Sequence, residues 1–303
     1  MRCEVVLMKL SIRRYCLLGM FVCLSLCMGC SEVVKVDKLS MKEALLLAKD
    51  LPGVLDKVLQ KYVDKDGLVD YKALRKDPSG IDTYIDVMGK VSPRTHPKLF
   101  VTKQDKLAYW LNAYNATILK NALRFPKWTH LDSKARRASF FALSKFIYGG
   151  QKMSPHVLEQ ELLRKVFKEP RIHFALNCAS LGCPKLPRKA FRGKTLDAEL
   201  TRETKAFLLE TRNVRIDEEE RVIHLTSLFK WYRSDFTDHL KVRKLTSEAF
   251  DAIITYINMY RPKTKQLPEE GFTIQFIKYD WRLNDQAGPK RKTQPSTRRS
   301  RSR

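Results

Sequence analysis

Apolar residues recur at helical spacing in several long segments of the chain. The clearest is residues 102–126, TKQDKLAYWLNAYNATILKNALRFP, in which apolar side chains repeat at steps of three and four residues. Thr102 and Asp105 have the spacing of a capping box, and Pro126 closes the segment, so we predict a helix there. Three further segments with this period are predicted as helices: residues 40–62, 195–211 and 248–260.

Alternating apolar and polar positions predict several short strands. Residues 145–153, KFIYGGQKM, are predicted as a hairpin that turns at Gly149-Gly150. The segment 171–178, RIHFALNC, also alternates, so we expect a strand with His173 and Asn177 on one face and apolar side chains on the other. Two later strands are predicted within residues 221–232 and 272–284.

These elements indicate the fold class and the division of the chain. Long helices combine with few short strands, which predicts an α+β fold, a mostly helical single domain packed on a small β-sheet. The predicted divisions are a signal peptide at 1–29, an anchor or linker with the first helix at 30–50, the domain at 51–284, and a basic, disordered tail at 285–303.

The amino terminus has the features of an export signal. Basic residues precede an apolar run, residues 16–28, which has the length of a signal-peptide core and is short for a membrane span. Gly29 directly before Cys30 resembles the processing site of bacterial lipoproteins, at which the cysteine is lipidated. We therefore expect a lipid-anchored protein of the bacterial cell envelope, in the periplasm or at the outer membrane, that starts at Met1 or Met8. Ordinary cleavage nearby and an uncleaved signal anchor are the alternatives.

The chain is strongly basic, with 58 Lys and Arg against 33 Asp and Glu and a formal net charge of +25. Part of this excess lies in the tail, and the rest is scattered without the aromatic or zinc-finger signatures of nucleic-acid-binding proteins. Specific nucleic-acid binding is therefore not expected. In an exported protein this charge suits anionic lipid headgroups or an anionic envelope polymer, and a merely solubilising surface is the alternative.

Removal of the signal peptide would leave only three of the seven cysteines, Cys30, Cys178 and Cys183. The last two bracket the short sequence ASLG, with Gly182 free to turn and Pro184 restricting the exit. Such a loop allows a disulfide, and an oxidising compartment favours it. A Cys178–Cys183 disulfide is the first hypothesis, and a reactive thiol pair or free buried cysteines are the alternatives.

Polar residues of the predicted helix and strand form a candidate site. Asn112 and Asn115 lie one turn apart on the flank of the helix at 102–126, and His173 and Asn177 share the polar face of the predicted strand. Because buried amides need hydrogen-bond partners, we expect these four side chains to approach one another. Bracing of a loop in the core is the alternative to substrate contact.

A thiol mechanism would use Cys178 as nucleophile and His173 as base. In an extended strand their Cα atoms lie about 16 Å apart and their side chains point to opposite faces, which opposes that pairing. The order of a papain-like or transglutaminase-like fold is present, but the helix has Asn112 and Asn115 where a nucleophilic cysteine is needed. The spacing of His173, Cys178 and Cys183 lies outside the usual zinc patterns, so neither a metal nor a cofactor is expected.

Five motifs occur in the order found in one protein family. They are LAYWLNAYNATIL (107–119), VLEQELLR (157–164), EPRIHFALNCASLGCP (169–184), LFKWYRSDF (228–236) and IKYDWRLND (277–285). From about Leu51 to Asn284 the chain resembles the DUF547 domain family, whose members have no characterised function. Where relatives read Ile-Glu-His, this chain has Leu158, Glu159 and Gln160, which weakens any proposal that needs that histidine.

The motifs add candidate binding residues to the polar set, namely Glu159, Arg164, Asn177, Trp231 and Asp280. Two classes of function follow. The first is an exported, membrane-anchored binding domain for an unidentified protein or small-molecule ligand, and the incomplete catalytic set favours it. The second is a hydrolase or transferase that uses His173 with Asn112 and Asn115 or with Cys178. Convergence of the polar groups in one cleft would favour the enzyme.

Overall fold

The computed structural model describes residues 31–245 and 251–289, so the predicted signal peptide, Cys30 and most of the basic tail lie outside the described residues. Within those ranges, no helix is both long and apolar enough to cross a lipid bilayer. The helices are α1 (Met41–Ala48), α2 (Leu51–Tyr62), α3 (Tyr71–Lys76), α4 (Ser79–Lys90), α5 (Lys103–Arg124), α6 (Lys134–Arg137), α7 (Pro155–Val157), α8 (Leu196–Leu209), α9 (Leu228–Trp231), α10 (Arg233–Val242) and α11 (Ala252–Asn258). The strands are β1 (Glu32–Val34), β2 (Ser144–Tyr148), β3 (Gln151–Met153), β4 (Val214–Asp217), β5 (Val222–Thr226) and β6 (Thr273–Ile277).

Several short helical turns complete the secondary structure. Helices α6 and α7 continue as wider π-helical turns at Ala138–Leu143 and Leu158–Phe167. The 3-10 helices are Pro97–Leu99, Pro170–Phe174, Gly193–Thr195 and Lys263–Lys265.

Helix α5 has the predicted cap and bounds. The Thr102 hydroxyl accepts a hydrogen bond from the backbone N–H of Asp105 at 3.0 Å, and the Asp105 carboxylate accepts one from the backbone N–H of Thr102 at 2.9 Å. From Leu107 to Ala122 the helix is buried on nearly all sides. It therefore runs through the core, and its polar residues must find partners there.

The strands form two small three-stranded sheets. In the first, β2 is central, parallel to β1 and antiparallel to β3, and Gly149-Gly150 makes the predicted hairpin turn. In the second, β5 is central, antiparallel to β4 and parallel to β6. The predicted α+β class with a small sheet component is confirmed, with two sheets in place of one.

Buried apolar side chains form two clusters. The larger surrounds α5, and the smaller lies between the second sheet and helices α10 and α11. The segment 169–184 connects them, because Ile172 belongs to the larger cluster and Phe174 to the smaller one. This cysteine-containing segment therefore lies where the two clusters meet.

The predicted strand at 171–178 is wrong. Pro170–Phe174 form a 3-10 helix, with Pro170 in its first turn and the Glu169 carboxylate accepting a hydrogen bond from the backbone N–H of Arg171 at 3.1 Å. Alternate positions here face two different apolar clusters, so the period of two reflects packing on both sides and not a sheet face. His173 and Asn177 consequently do not share a strand.

The structure shows contacts on the outer side of both predicted domain boundaries. At the amino-terminal side β1 pairs with β2, and the Asp86 carboxylate accepts hydrogen bonds from the backbone N–H groups of Lys38 and Leu39 at 2.6 and 2.8 Å. Residues 32–50 thus pack against the predicted domain, and the predicted first helix lies among them as α1. At the other end the backbone N–H of Gln286 donates to the carbonyl of Val69 at 3.0 Å, so these contacts extend beyond 284.

Candidate functional site

A cleft of about 420 Å³ opens where the two apolar clusters meet. Its walls come from α5, the two π-helical turns, the 169–184 segment, α9 and the chain that follows β6. Aromatic and apolar side chains dominate the lining, and a few polar groups interrupt it, which is typical of small-molecule sites. The polar and aromatic residues of the lining that matter below are Tyr114, His156, Glu159, His173, Cys178, Cys183, Trp231, Tyr232, Tyr279 and Trp281.

His173 is held in the cleft wall by a carboxylate. Its Nε2 lies 2.7 Å from Oδ2 of Asp235, and because a carboxylate only accepts, the imidazole carries a proton on Nε2. The ring stacks on Tyr232 with centroids 3.9 Å apart, and His173 is only 4 % exposed. In the part of the chain that the structure describes, Nδ1 of His173 makes no hydrogen bond to protein, which leaves it for a group in the cleft.

Asp235 is itself held by a bidentate ion pair with Arg164. Nε of Arg164 donates to Oδ2 and Nη2 donates to Oδ1, both at 2.7 Å. Burial alone raises the pKa of Asp235, but the hydrogen bonds and charges of Arg164 and His173 outweigh it and lower the pKa well below 3.8. The carboxylate is therefore ionised at neutral pH and orients the imidazole ring.

Glu159 joins two tyrosines at another side of the cleft. Its carboxylate accepts hydrogen bonds from the hydroxyls of Tyr114 at 3.1 Å and Tyr232 at 2.7 Å. Burial in the first place, and the negative charge of Glu159 in the second, raise the pKa of both phenols. Both hydroxyls thus stay protonated and donate to Glu159, which presents a fixed acceptor to the cleft.

The predicted disulfide is present in the cleft wall. The sulfur atoms of Cys178 and Cys183 are 2.03 Å apart and their Cα atoms 6.1 Å apart. The loop turns differently from the prediction, because the positive φ of 61° falls on Ala179 and not on Gly182. Gly182 is needed for space, since a Cβ there would lie 2.9 Å from a ring carbon of Tyr279.

The three predicted asparagines serve as braces inside the core. Asn112 donates to the carbonyl of Phe191 at 2.8 Å and accepts from its N–H at 2.9 Å. Asn115 donates to the carbonyl of Ala175 at 3.0 Å and accepts from the N–H of Asn177 at 2.9 Å. Asn115 and Asn177 thus meet, but the amides hold backbone groups and do not line the cleft with His173.

The other predicted residues divide between the cleft and its surroundings. Trp231 is 45 % exposed in the cleft wall and packs on Tyr279 and Trp281, with ring centroids 4.9 and 5.8 Å away. Arg164 acts through Asp235. Asp280 lies outside the cleft and forms an ion pair with Arg282.

Sequence reasoning missed the acidic partner of His173 and several cleft aromatics. Asp235 and Tyr232 both lie in the motif LFKWYRSDF, and Tyr279 and Trp281 lie in IKYDWRLND. The available signal was the density of aromatic and acidic residues in these two motifs. Across the described ranges, no group of three or more His, Cys, Asp or Glu side chains is placed to hold a metal ion.

The fold and the site define an α+β domain with an aromatic cleft that carries an oriented histidine and a partly buried carboxylate. The family model described as "Protein of unknown function, DUF547" matches residues 99–208, which confirms the predicted resemblance over that part of the chain. The motifs at 228–236 and 277–285 lie outside the matched residues. The matched region supplies Tyr114, Glu159, His173 and the disulfide, whereas Tyr232 and Asp235 follow it in the chain. Comparison with curated proteins and with solved structures gives no match.

Proposed function

We propose that this DUF547-family protein is an exported, lipid-anchored binding domain of the cell envelope, whose cleft takes a sugar unit of an envelope polymer. The observation that carries the proposal is the cleft itself, in which the half-exposed indole of Trp231 lines the same space as the Glu159 carboxylate. The apolar face of a sugar ring packs on an indole, and its hydroxyls donate to a carboxylate.

The roles of the predicted amides support binding over catalysis. Asn112, Asn115 and Asn177 are engaged with backbone groups in the core, so they do not contribute an oxyanion site. The two sulfur atoms in the cleft are joined to each other, which removes a thiol nucleophile while the disulfide is intact. The cleft thus offers recognition groups with a single positioned base.

Export and anchoring rest on the amino-terminal sequence. The basic start, the apolar run at 16–28 and the Gly29-Cys30 pair support cleavage and lipidation at Cys30, and the net charge of +25 suits an anionic envelope. Mass spectrometry of the protein isolated from its own cells tests this. A lipid-modified terminus at Cys30 is expected, and an unmodified terminus that retains Met1 or Met8 would contradict it.

Sugar binding is tested by tryptophan fluorescence during titration with soluble oligosaccharides released from the envelope. Trp231→Ala is expected to weaken binding about tenfold or more, because it removes an apolar surface of side-chain size. Trp128→Ala is the matched control, since Trp128 stacks on Phe125 and does not line the cleft. Equal affinities of the two variants would refute the assignment of the cleft.

A second candidate function is acid–base catalysis at the same cleft. It is favoured by the 2.7 Å contact that fixes His173 on Asp235 and leaves Nδ1 to take a proton from water or ligand. His173→Gln keeps hydrogen-bonding capacity but not basicity. Loss of product formation with retained oligosaccharide binding would establish the enzyme, and wild-type protein that binds without turnover would leave binding as the function.

A further inference from the structure

We infer that the Cys178–Cys183 disulfide is a thiol–disulfide exchange site that reacts with low-molecular-weight thiols through the cleft. Cys178 is the sulfur that is attacked, and Cys183 is the sulfur that leaves. This redox activity goes beyond the proposed sugar binding and does not depend on it.

Access to the two sulfurs is unequal. Both cysteines line the cleft, but Cys178 is partly exposed whereas Cys183 is 2 % exposed. A thiolate that enters the cleft therefore reaches Sγ of Cys178 first. The cleft volume of about 420 Å³ lies within the range of small-molecule pockets, so the cleft has room for a low-molecular-weight thiol.

The surroundings of Cys183 favour it as the leaving group. The backbone N–H of Cys178 donates to Sγ of Cys183 at 2.8 Å. The hydroxyl of Tyr279 lies 3.1 Å from the same sulfur and 3.2 Å from Sγ of Cys178, so it can donate to either sulfur. Both groups would stabilise the negative charge that forms on Cys183 when the disulfide opens, and the backbone N–H is the donor that distinguishes Cys183 from Cys178. A leaving sulfur whose thiolate is stabilised departs faster.

A cation lies at the same loop. Arg212 donates from Nη1 to the carbonyl of Leu181 at 3.0 Å and from Nη2 to the carbonyl of Cys183 at 3.3 Å. Glu210 pairs with this guanidinium and reduces its effect, so the stabilisation of Sγ of Cys183 comes mainly from the two direct donors. The guanidinium holds the loop in place around the departing sulfur.

The exchange conserves atoms and electrons. The thiolate of the small thiol attacks Sγ of Cys178, a mixed disulfide forms, the Cys178–Cys183 bond breaks, and its electron pair passes to Sγ of Cys183. A second molecule of the same thiol then attacks the mixed disulfide and releases its own disulfide and the Cys178 thiolate. In total, two thiols are oxidised, the protein disulfide is reduced to a dithiol, and the thiol protons end on the two cysteines or in solvent.

The experiment uses the full chain with reduced glutathione as the probe. The peptide that contains residues 172–185 is analysed by mass spectrometry, so that the other cysteines do not contribute. In wild-type protein, rapid alkylation early in the reaction should mark Cys183 as the free thiol and leave glutathione on Cys178. Glutathione found on Cys183 in place of Cys178 would overturn the assignment.

Separate variants test the unequal access to the two sulfur atoms and the hydrogen-bond donors to Sγ of Cys183. Given glutathione disulfide, Cys183→Ser should accumulate the mixed disulfide on Cys178 about tenfold faster than Cys178→Ser accumulates it on Cys183. Tyr279→Phe should slow reduction of the intact disulfide about tenfold, because one donor to the leaving sulfur is lost. The matched control is Tyr62→Phe, whose hydroxyl bonds Asp77 away from the cleft.

Thermal unfolding of each variant shows whether it is folded before exchange is measured. Equal labelling of the two cysteine variants, or a Tyr279→Phe protein that exchanges at the wild-type rate, would overturn the proposal. A wild-type disulfide that glutathione reduces only after denaturation would overturn it as well.

Discussion

At the scale of single residues, the carboxylate of Asp235 links His173 of the cleft wall to Arg164, which lies outside the cleft. It accepts two hydrogen bonds from Arg164 and one from His173, besides one from the neighbouring Ser234, and it lies on α10, far along the chain from Arg164 and His173. Hydrogen bonds to an ionised group are stronger than neutral ones, and their loss leaves a partly buried guanidinium without its counter-ion. Asp235 therefore acts on the cleft through its neighbours.

Asp235→Asn is expected to lower the free energy of unfolding by about 2 kcal/mol at neutral pH, because a charged acceptor is replaced by a neutral amide. The pKa of Asp235 is lowered in the folded protein, so the carboxylate stabilises the fold above the ordinary carboxyl value of 3.8 and loses this effect as the pH falls further. The difference between wild type and variant should thus shrink from about pH 5 towards about pH 2.

Urea unfolding over this pH range measures the effect. Asp238→Asn is the control on the same helix, because Asp238 is exposed and pairs only at the surface with Lys241. A constant difference between wild type and Asp235→Asn at every pH would show that the ionised carboxylate is not the source of the stability.

Sequence patterns identified some cleft residues and not others for a physical reason. Some candidates interrupt apolar motifs, namely His173, Glu159 and the cysteine pair. A polar group among apolar residues needs a partner, so the sequence identified these residues as candidates. Their partners, Tyr232 and Asp235, come from a separate part of the chain. Only the packing of α9 and α10 against the 169–184 segment brings them together, and no local pattern contains that contact.

At the scale of secondary-structure elements, side-chain amides of α5 hold two irregular loops in place. The loops around Ala175–Asn177 and Phe191 have no strand partner, so their backbone groups bond to Asn115 and Asn112. The amides thus satisfy the backbone N–H and carbonyl groups that a neighbouring strand would satisfy in a sheet. The sequence pattern indicated that these amides are buried. It also predicted a strand at 171–178, because a segment packed on both sides shows the same period of two as a strand.

Asn112→Ala is expected to destabilise the domain by about 2–4 kcal/mol, since it leaves the N–H and the carbonyl of Phe191 buried without partners. Gln104→Ala, at an exposed position in the first turn of the same helix, is the control and should change stability little. Chemical denaturation compares the two. A loss in Asn112→Ala no larger than that of the control would mean that water satisfies the Phe191 backbone groups.

At the scale of the whole molecule, the last described segment, residues 278–289, connects distant loops. After β6, the chain bonds in turn to three separate loops, with backbone contacts from Leu283 to Thr129, from Arg282 to Leu181 and from Gln286 to Val69. The strand predicted over 272–284 is therefore real only at Thr273–Ile277, and the remainder exchanges single bridges with these loops. Such bridges depend on the distant loops and leave no periodic pattern in the sequence.

We therefore expect the part of the chain that is needed for folding to end between residues 284 and 289, and two truncations test this. A chain that ends at Pro289 should unfold at the wild-type temperature, because residues 290–303 have no apolar periodicity with which to pack. A chain that ends at Asp280 loses Trp281, the buried Leu283 and Asn284, and the backbone bonds that Arg282, Leu283 and Gln286 make to the three loops, so it should not unfold cooperatively. Calorimetry of both proteins gives the comparison. If the chain that ends at Asp280 were as stable as the chain that ends at Pro289, these backbone bonds would not stabilise the domain, and the cleft wall at Tyr279 would need another support.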